Sequence, residues 1–235
     1  MAGNVKDELG RIVGSLRGKL ELERDFGADF VAKGQAVELT PEEKGDDRAR
    51  NLAVLEENAS TCIKCRLSES RTRVVFGTGN IFADLMFIGE GPGYEEDRQG
   101  LPFVGRAGQL LTKIIEAIKL TRDEVYIANM VKCRPPENRT PRQDEIFMCS
   151  TTYLKHQIEW IKPKIICALG NAATQNLLHT TKGISVLRGR FHDYEGIKLM
   201  PTFHPAYLLR NPGDKDKCWQ DMKKVRAMLD ELKAG

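Results

Sequence analysis

Residues 84–93, with the sequence DLMFIGEGPG, join a short apolar run to a turn rich in glycine. The apolar run predicts a strand from Asp84 to Gly89, because strands of covered parallel sheets read as nearly continuous hydrophobic sequence. The glycines that follow allow backbone amides to approach a planar ligand or an anion closely. The stretch therefore predicts a buried strand and, at Glu90, a carboxylate on the floor of a pocket. A tight turn with a solvated acid is the alternative.

The chain downstream alternates amphipathic segments with short apolar runs. Helical periodicity marks residues 106–119, 142–161, 171–178 and 216–233, and apolar runs mark strands at residues 125–129, 164–169 and 197–203. Such alternation predicts an α/β fold, namely a three-layer α/β/α sandwich with a mostly parallel, four-stranded central sheet. Ligands of such sheets bind at the carboxyl ends of the strands, where the candidate site residues fall.

Composition permits one full α/β core in 235 residues with 41% hydrophobic content. Residues 1–51 hold 9 Lys/Arg against 11 Asp/Glu, and residues 52–235 hold 27 against 22, so the excess of positive charge lies in the second part. That excess permits a polyanionic partner. The glycine turn matches neither the dinucleotide fingerprint nor the phosphate-binding P-loop, which disfavours an enzyme that uses nucleoside triphosphates.

The domain organisation changes near residue 50. Residues 1–51 are predicted to form an N-terminal segment, with an amphipathic helix over residues 5–24 and a charged linker, and residues 52–235 to form the catalytic domain. No run approaches the roughly 18 apolar residues that span a bilayer, and the first residues do not resemble a signal peptide. We therefore expect a cytoplasmic protein with no membrane partner.

Four cysteines have spacings that are typical of metal ligands. Cys62 and Cys65 form a C-x-x-C pair, and Cys133 and Cys149 form a distant second pair. Two such pairs can complete a four-sulfur cage, which favours an iron–sulfur cluster. Zinc and buried structural thiols are the alternatives. The two remaining cysteines are interpreted as core residues.

Two strand ends carry side chains suited to nucleic acid chemistry. Asn129 ends the second strand, and its amide can donate and accept side by side, as reading the Watson–Crick edge of a base requires. His204 follows the fourth strand and precedes a wedge-like Tyr207-Leu208-Leu209 and the positive Arg210. This combination predicts a loop that penetrates a duplex and stabilises negative charge. Taken singly, the asparagine and the histidine are more often structural.

Six motifs together identify a known family. They are Cys62-x-x-Cys65, GEGPG at residues 89–93, GLPFVGRAG at 100–108, NMVKCRP at 129–135, Cys149, and HPAYLLR at 204–210. Residues 52–232 resemble, in motif order and spacing, the family 4 uracil-DNA glycosylases, the iron–sulfur branch of that superfamily. Gly91 is one departure, since the family often has alanine there. The first 50 residues lie outside the family core.

The resemblance implies an enzyme of DNA repair that hydrolyses the N-glycosidic bond of uracil, releases free uracil and leaves an abasic site. It implies that Phe103 stacks on the extruded uracil and that Asn129 pairs with its edge and rejects cytosine. His204 would donate a hydrogen bond to uracil O2, together with backbone amides near Gly89 to Gly91. Glu90 would orient or activate the water.

The resemblance also implies how the chain meets its partner and its cofactor. Tyr207, Leu208 and Arg210 would enter the DNA, with Leu208 filling the gap and Leu209 beside it. The alternative is that one or more of these apolar side chains are buried, Leu209 in particular. The four cysteines would hold a structural 4Fe-4S cluster. The partner would be uracil-containing DNA, single- or double-stranded, bound by a monomer. Arginines at positions 134, 139 and 142 would contact phosphates or form a solvated surface.

Two other functions remain open from the sequence. One is a superfamily member that binds uracil-DNA tightly, or traps it covalently, without turnover. Trapping would need, by the same resemblance, a histidine between the second pair of cysteines, and residues 133–149 contain none. A non-catalytic iron–sulfur or nucleic-acid-binding module would leave Glu90, Asn129 and His204 without a shared purpose.

Overall fold

The computed structural model describes residues 47–234, so the helix predicted over residues 5–24 lies outside the described residues. The strands are β1 (Thr78–Gly79), β2 (Leu85–Gly89), β3 (Tyr126–Asn129), β4 (Ile165–Leu169), β5 (His192–Tyr194) and β6 (Ile197–Thr202). The α-helices are α1 (Arg48–Ser60), α2 (Tyr94–Gln99), α3 (Arg106–Ala117), α4 (Gln143–Cys149), α5 (Lys155–Ile161), α6 (Gly170–Leu177), α7 (Ile184–Leu187), α8 (Pro205–Arg210) and α9 (Lys215–Ala234).

The central sheet of residues 47–234 has six strands in the order β1-β3-β2-β4-β6-β5. Strands β3, β2, β4 and β6 are parallel neighbours, as predicted, whereas β1 and β5 pair antiparallel at the two edges. The predicted count of four strands is therefore wrong by these two. Both edge strands have at most three residues and neither is fully buried, so they lack the apolar run that marks a strand in sequence.

Helices cover both faces of the sheet, which confirms the predicted sandwich. Along β2, Met86 and Ile88 pack in one hydrophobic cluster, while Leu85 and Phe87 pack in the other. The alternation follows from the two-residue period of a strand. Side chains from α1, α5 and α6 complete the first cluster, and side chains from α3 and α9 complete the second.

The register of the sheet brings the predicted site residues to one edge. Gly89 at the end of β2 lies opposite Asn129 at the end of β3, and Leu169 at the end of β4 lies opposite Thr202 at the end of β6. In parallel sheets the carboxyl ends of the strands share one edge. The turn after β2 and the histidine after β6 therefore emerge on the same side of the molecule.

Helix α1 begins at Arg48 and so includes residues 48–51, which the sequence analysis assigned to the N-terminal segment. The division into an N-terminal segment and a catalytic domain stays a prediction. Within residues 47–234, each helix is too short or too polar to cross a bilayer.

A buried ion pair fastens α9 to the end of β6. Arg188 donates to both carboxylate oxygens of Asp221 at 3.0 and 2.6 Å, and the hydroxyl of Thr202 donates to the same carboxylate at 2.7 Å. The guanidinium also lies 5.1 Å from the ring centre of Phe203. This network fixes the backbone just ahead of His204.

We expect Asp221→Asn to lower the free energy of unfolding by about 1.5–3 kcal/mol, because it removes charged hydrogen bonds between the buried Asp221 and the half-buried Arg188. The matched control is Asp230→Asn on the same helix, which removes an exposed pair with Arg226 and should cost about 0.5 kcal/mol or less. Urea unfolding followed by circular dichroism measures both variants. Equal losses in the two variants would contradict this account of the network.

Candidate active site

A cavity of about 500 Å³ opens at the carboxyl edge of the sheet. It brings together five of the residues predicted to bind or act on a base: Glu90, Gly91, Phe103, Asn129 and His204. The other side chains and backbone that line it are Pro92, Gly93, Glu96, Ala107, Pro135, Asn138, Arg139, Thr140, Pro141, Ala206, Tyr207 and Arg210.

Gly89 lies beneath the cavity, at the end of the inner strand β2. A Cβ atom on this residue would lie 2.5 Å from the Asn129 side-chain oxygen and 2.6 Å from Cζ of Phe103. Both distances are shorter than real Cβ contacts. The lack of a side chain at this position therefore lets the asparagine and the phenylalanine approach each other across the strand end.

Phe103 adopts a left-handed backbone conformation, with φ of 54°, and its ring is buried. Two charged side chains hold this strained loop. Arg122 donates to the carbonyl of Phe103 at 3.2 Å and to that of Pro102 at 2.8 Å. Glu96 accepts at 2.9 Å from each of the next two backbone N–H groups. The aromatic ring is thus fixed before any ligand arrives.

Asn129 is 1% exposed, and its side-chain oxygen has no hydrogen-bond partner among the described residues. A buried polar atom without a partner costs about 1–3 kcal/mol, so such atoms are uncommon in native structures. Because the side chain lines the cavity, a ligand there can supply the missing hydrogen bond.

His204 caps the N-terminus of α8. Its Nδ1 accepts a hydrogen bond from the backbone N–H of Ala206 at 3.1 Å. Burial and, to a smaller extent, the positive charge of Arg210 lower the pKa of this histidine to about 4, while Glu96 acts in the opposite direction. The imidazole is therefore neutral at physiological pH, and since Nδ1 accepts, Nε2 carries the proton.

Glu90 provides a carboxyl group at the wall of the cavity. Burial raises the pKa of Glu90 above its ordinary value, and a hydrogen bond from Thr140 acts in the opposite direction. A carboxylate with a raised pKa is a stronger base than a fully solvated one.

The residues that were predicted to enter DNA lie on helix α8 and differ in their exposure to solvent. Arg210 is exposed, and the half-buried Tyr207 stacks on Phe203 and donates to Asp214 at 2.6 Å. Leu208 is only 1% exposed and packs in the core. A side chain packed there cannot fill a gap in DNA, so the prediction for Leu208 is wrong in this conformation. Its neighbour Leu209 is half-buried.

The four predicted ligand cysteines line one small cavity, which lies on the far side of the segment after β3. Cys133 and Cys149 are buried, and Cys62 and Cys65 are half-buried. Burial raises the pKa of Cys149 to about 12 and raises that of Cys133, so without a metal these thiols are protonated. Binding iron or zinc would displace the protons.

Polar groups already contact two of these sulfur atoms. The backbone N–H of Lys132 lies 3.2 Å from Sγ of Cys149, and the Arg71 guanidinium lies 3.4 Å from Sγ of Cys133. Hydrogen bonds and positive charges of this kind stabilise thiolates that bind iron. The donor set therefore fits a metal–sulfur centre. Within residues 47–234, no three His, Cys, Asp or Glu side chains already converge in a group that could hold a single metal ion.

The arginines near the second cysteine pair have different environments. Arg139 donates to both oxygens of the buried Glu145 at 2.9 and 2.7 Å, which makes it part of the scaffold. Arg134 lies 5.1 Å and Arg98 lies 5.6 Å from the ring centre of the exposed Tyr94, beside the cavity. This Arg98–Tyr94–Arg134 cluster presents two positive charges at the surface.

Comparison with known proteins places the chain in a family. The family model of the uracil DNA glycosylase superfamily matches residues 76–223. A type-4 uracil-DNA glycosylase of Saccharolobus solfataricus is 44% identical over 76% of this chain and 87% of its own length, and one of Thermotoga maritima is 42% identical over 77% and 96%. A third, from Sulfurisphaera tokodaii, is 43% identical over 76% and 84%.

The chain belongs to the type-4 uracil-DNA glycosylases. Within this type-4 chain, Glu96 and Arg122 are functional candidates that the sequence analysis missed. Glu96 sits in a run of three acidic residues, and Arg122 lies in a short 3₁₀ turn, so neither differs by pattern from an ordinary surface charge. Only their hydrogen bonds to the Phe103 loop distinguish them.

For this type-4 glycosylase we expect the imidazole of His204 to stay neutral from pH 8 down to about pH 5. Its folded pKa lies near 4, so protonation begins only as the pH approaches that value. Side-chain NMR spectra recorded across this range, with His204→Gln to assign the signal, measure the titration. A midpoint at pH 6 or above would show that burial does not keep the ring uncharged.

Proposed function

We propose that the protein hydrolyses the N-glycosidic bond of uracil in DNA, releasing free uracil and leaving an abasic site. The observation that carries this proposal is the cavity at the carboxyl edge of the sheet. There an aromatic ring, a buried amide oxygen that has no hydrogen-bond partner within residues 47–234, and a neutral histidine face one space. The names of the three relatives, type-4 uracil-DNA glycosylases, agree with it.

Base recognition in this proposal depends on Phe103 and Asn129. A uracil turned out of the DNA stacks on the Phe103 ring, as bases do on aromatic side chains. The Asn129 side-chain oxygen then accepts from uracil N3–H, and its amide donates to uracil O4. Cytosine replaces that acceptor by an amine donor, which leaves buried polar groups unpaired.

The chemistry depends on His204 and Glu90. Breaking the bond develops a positive sugar and an anionic uracil. The Nε2–H of the neutral imidazole donates to uracil O2 and so stabilises the leaving group without surrendering a proton. The Glu90 carboxylate orients or activates the water that attacks C1′, and its charge favours the sugar cation. Backbone amides near Gly89 to Gly91 add to the stabilisation of the uracil.

DNA would meet the protein on both sides of the cavity mouth. On one side, Tyr207, Leu209 and Arg210 of α8 face the strand, and of these Leu209 takes the role first predicted for Leu208. On the other side, the Arg98–Tyr94–Arg134 cluster offers guanidinium groups to phosphates. Uracil in single- or double-stranded DNA is the substrate, and the chain acts as a monomer in the cytoplasm.

The four cysteines would hold a 4Fe-4S cluster in this proposal. Each thiolate of such a cluster binds a different iron, so its ligands surround a volume and do not converge on one ion. Four sulfurs surround one cavity and have a cationic group beside them, and this arrangement supports a 4Fe-4S cluster more than it supports a zinc ion. When bound, the cluster would cross-link segments that are distant in sequence. The hydrolysis itself would use the side chains that line the cavity at the carboxyl edge of the sheet, which is called the base cavity below.

Incubation of a uracil-containing oligonucleotide with the protein and a chelator, followed by alkali, should cleave the strand at uracil. Asn129→Ala and His204→Ala should each lower the rate about a hundredfold, equivalent to ~3 kcal/mol of lost stabilisation, and should retain iron. The same oligonucleotide with cytosine is the control. A denaturant-stable adduct would indicate trapping of uracil-DNA, and no cleavage at all would indicate a binding module.

Protein purified without oxygen should show the broad visible absorbance of an iron–sulfur cluster and about four irons and four sulfides per chain. Cys65→Ser and Cys149→Ser should lose most of the iron. The control is Cys167→Ser, which changes a buried thiol that lies outside the cysteine cavity. One zinc per chain, without sulfide, would contradict the cluster.

A further inference from the structure

Lys132 is an internal lysine that the proposed reaction does not use. Its side chain is 1% exposed, and its ammonium donates to the Gln157 side-chain oxygen at 2.5 Å and to the Asn129 backbone carbonyl at 3.0 Å. Both acceptors are neutral. Burying an ammonium group is costly unless its environment compensates the charge, so this lysine calls for a physical explanation.

The acceptor Gln157 is itself held in one orientation. Its amide nitrogen donates to the backbone carbonyl of Phe76 at 3.0 Å and to the hydroxyl of Tyr126 at 3.2 Å. With the nitrogen occupied in this way, the amide oxygen faces Lys132. The ammonium therefore donates one hydrogen bond to a side chain held in place and a second to the Asn129 carbonyl.

The backbone of residues 129–133 runs from the base cavity to the cysteine cavity. The N–H of Met130 donates to the carbonyl of Gly89 at 2.9 Å, and the N–H of Val131 donates to that of Glu90 at 3.2 Å. The next N–H, that of Lys132, points to Sγ of Cys149, as described above. Met130 and Val131 thus contact the backbone beneath the base cavity, and Lys132 contacts a sulfur atom of the cysteine cavity.

We propose that Lys132 is a positioning residue that holds Asn129 in the orientation that reads uracil and ties that orientation to the cysteine site. The inference rests on the proposed function. Lys132 is one of the residues that line the cysteine cavity, so thiolates that bind a metal there would bring negative charge close to this lysine and would offset part of the cost of its burial. The same ammonium fixes the carbonyl of the residue whose side chain meets the base.

The test measures the binding of free uracil, since this reports the base cavity without contributions from DNA contacts or bond breaking. Lys132→Met removes the ammonium and keeps most of the side-chain volume. We expect it to weaken uracil binding about tenfold, the effect of about one hydrogen bond, and to leave the iron content unchanged. Lys164→Met is the matched control, because Lys164 is exposed at the amino end of β4.

A double-mutant cycle separates positioning from general support of the fold. If Lys132 acts through Asn129, Lys132→Met should have little further effect on uracil binding in the Asn129→Ala background. Full additivity of the two losses would overturn the proposal, as would wild-type uracil binding by Lys132→Met with only a lowered melting temperature. Loss of iron from Lys132→Met would also overturn it, by placing the lysine in support of the cysteine site alone.

Gln157→Leu serves as the second variant if Lys132→Met does not fold. It keeps the lysine but removes its anchoring acceptor, so the proposal expects weaker uracil binding with unchanged iron, and unchanged binding would contradict it. The wild-type protein distinguishes failure of this inference from failure of the proposed function. If the wild-type protein neither binds uracil nor excises it, that result would contradict the proposed function itself.

Discussion

The geometry of the candidate active site depends on the absence of a side chain at Gly89, the last residue of strand β2. Gly89 leaves a space that the side chains of Asn129 and Phe103 both approach, and a single methyl group there would collide with each of them. The sheet register places the asparagine beside this glycine, and the strained loop held by Arg122 and Glu96 places the ring above it. Stacking and edge recognition are thereby combined in one small volume. A side chain at this position would separate the two functions.

Neutrality of His204 follows from the same enclosure. Burial favours the uncharged ring, and the capping hydrogen bond at Nδ1 leaves the proton on Nε2, where a leaving uracil can use it. In the proposed reaction, the cavity would stabilise negative charge with a donor that is itself uncharged, while Glu90 would provide negative charge for the sugar. Behind the cavity, Lys132 contacts the Asn129 carbonyl at the end of β3 with its side chain and Sγ of Cys149 with its backbone N–H.

Much of the fold was predictable because the inner strands are continuous apolar runs and the chain alternates them with helices. The short edge strands were not, since β1 and β5 carry no comparable signal. The residues that line the cavity at the carboxyl edge of the sheet were predictable from motifs, whereas Glu96, Arg122 and Lys132 are distinguished by hydrogen bonds that no sequence pattern shows. Leu208 shows the opposite failure, because two adjacent leucines in the motif gave no indication of which one the helix turns into the core.

The central claim is that one cavity grips an extruded uracil by its face, its edge and its O2 atom. A crystal structure of the wild-type protein soaked with uracil tests this most directly. The account predicts one uracil ring stacked on Phe103, with the Asn129 amide paired to N3 and O4 and with Nε2 of His204 within hydrogen-bond distance of O2. A uracil bound elsewhere, or one that contacts only one of these three side chains, would contradict it.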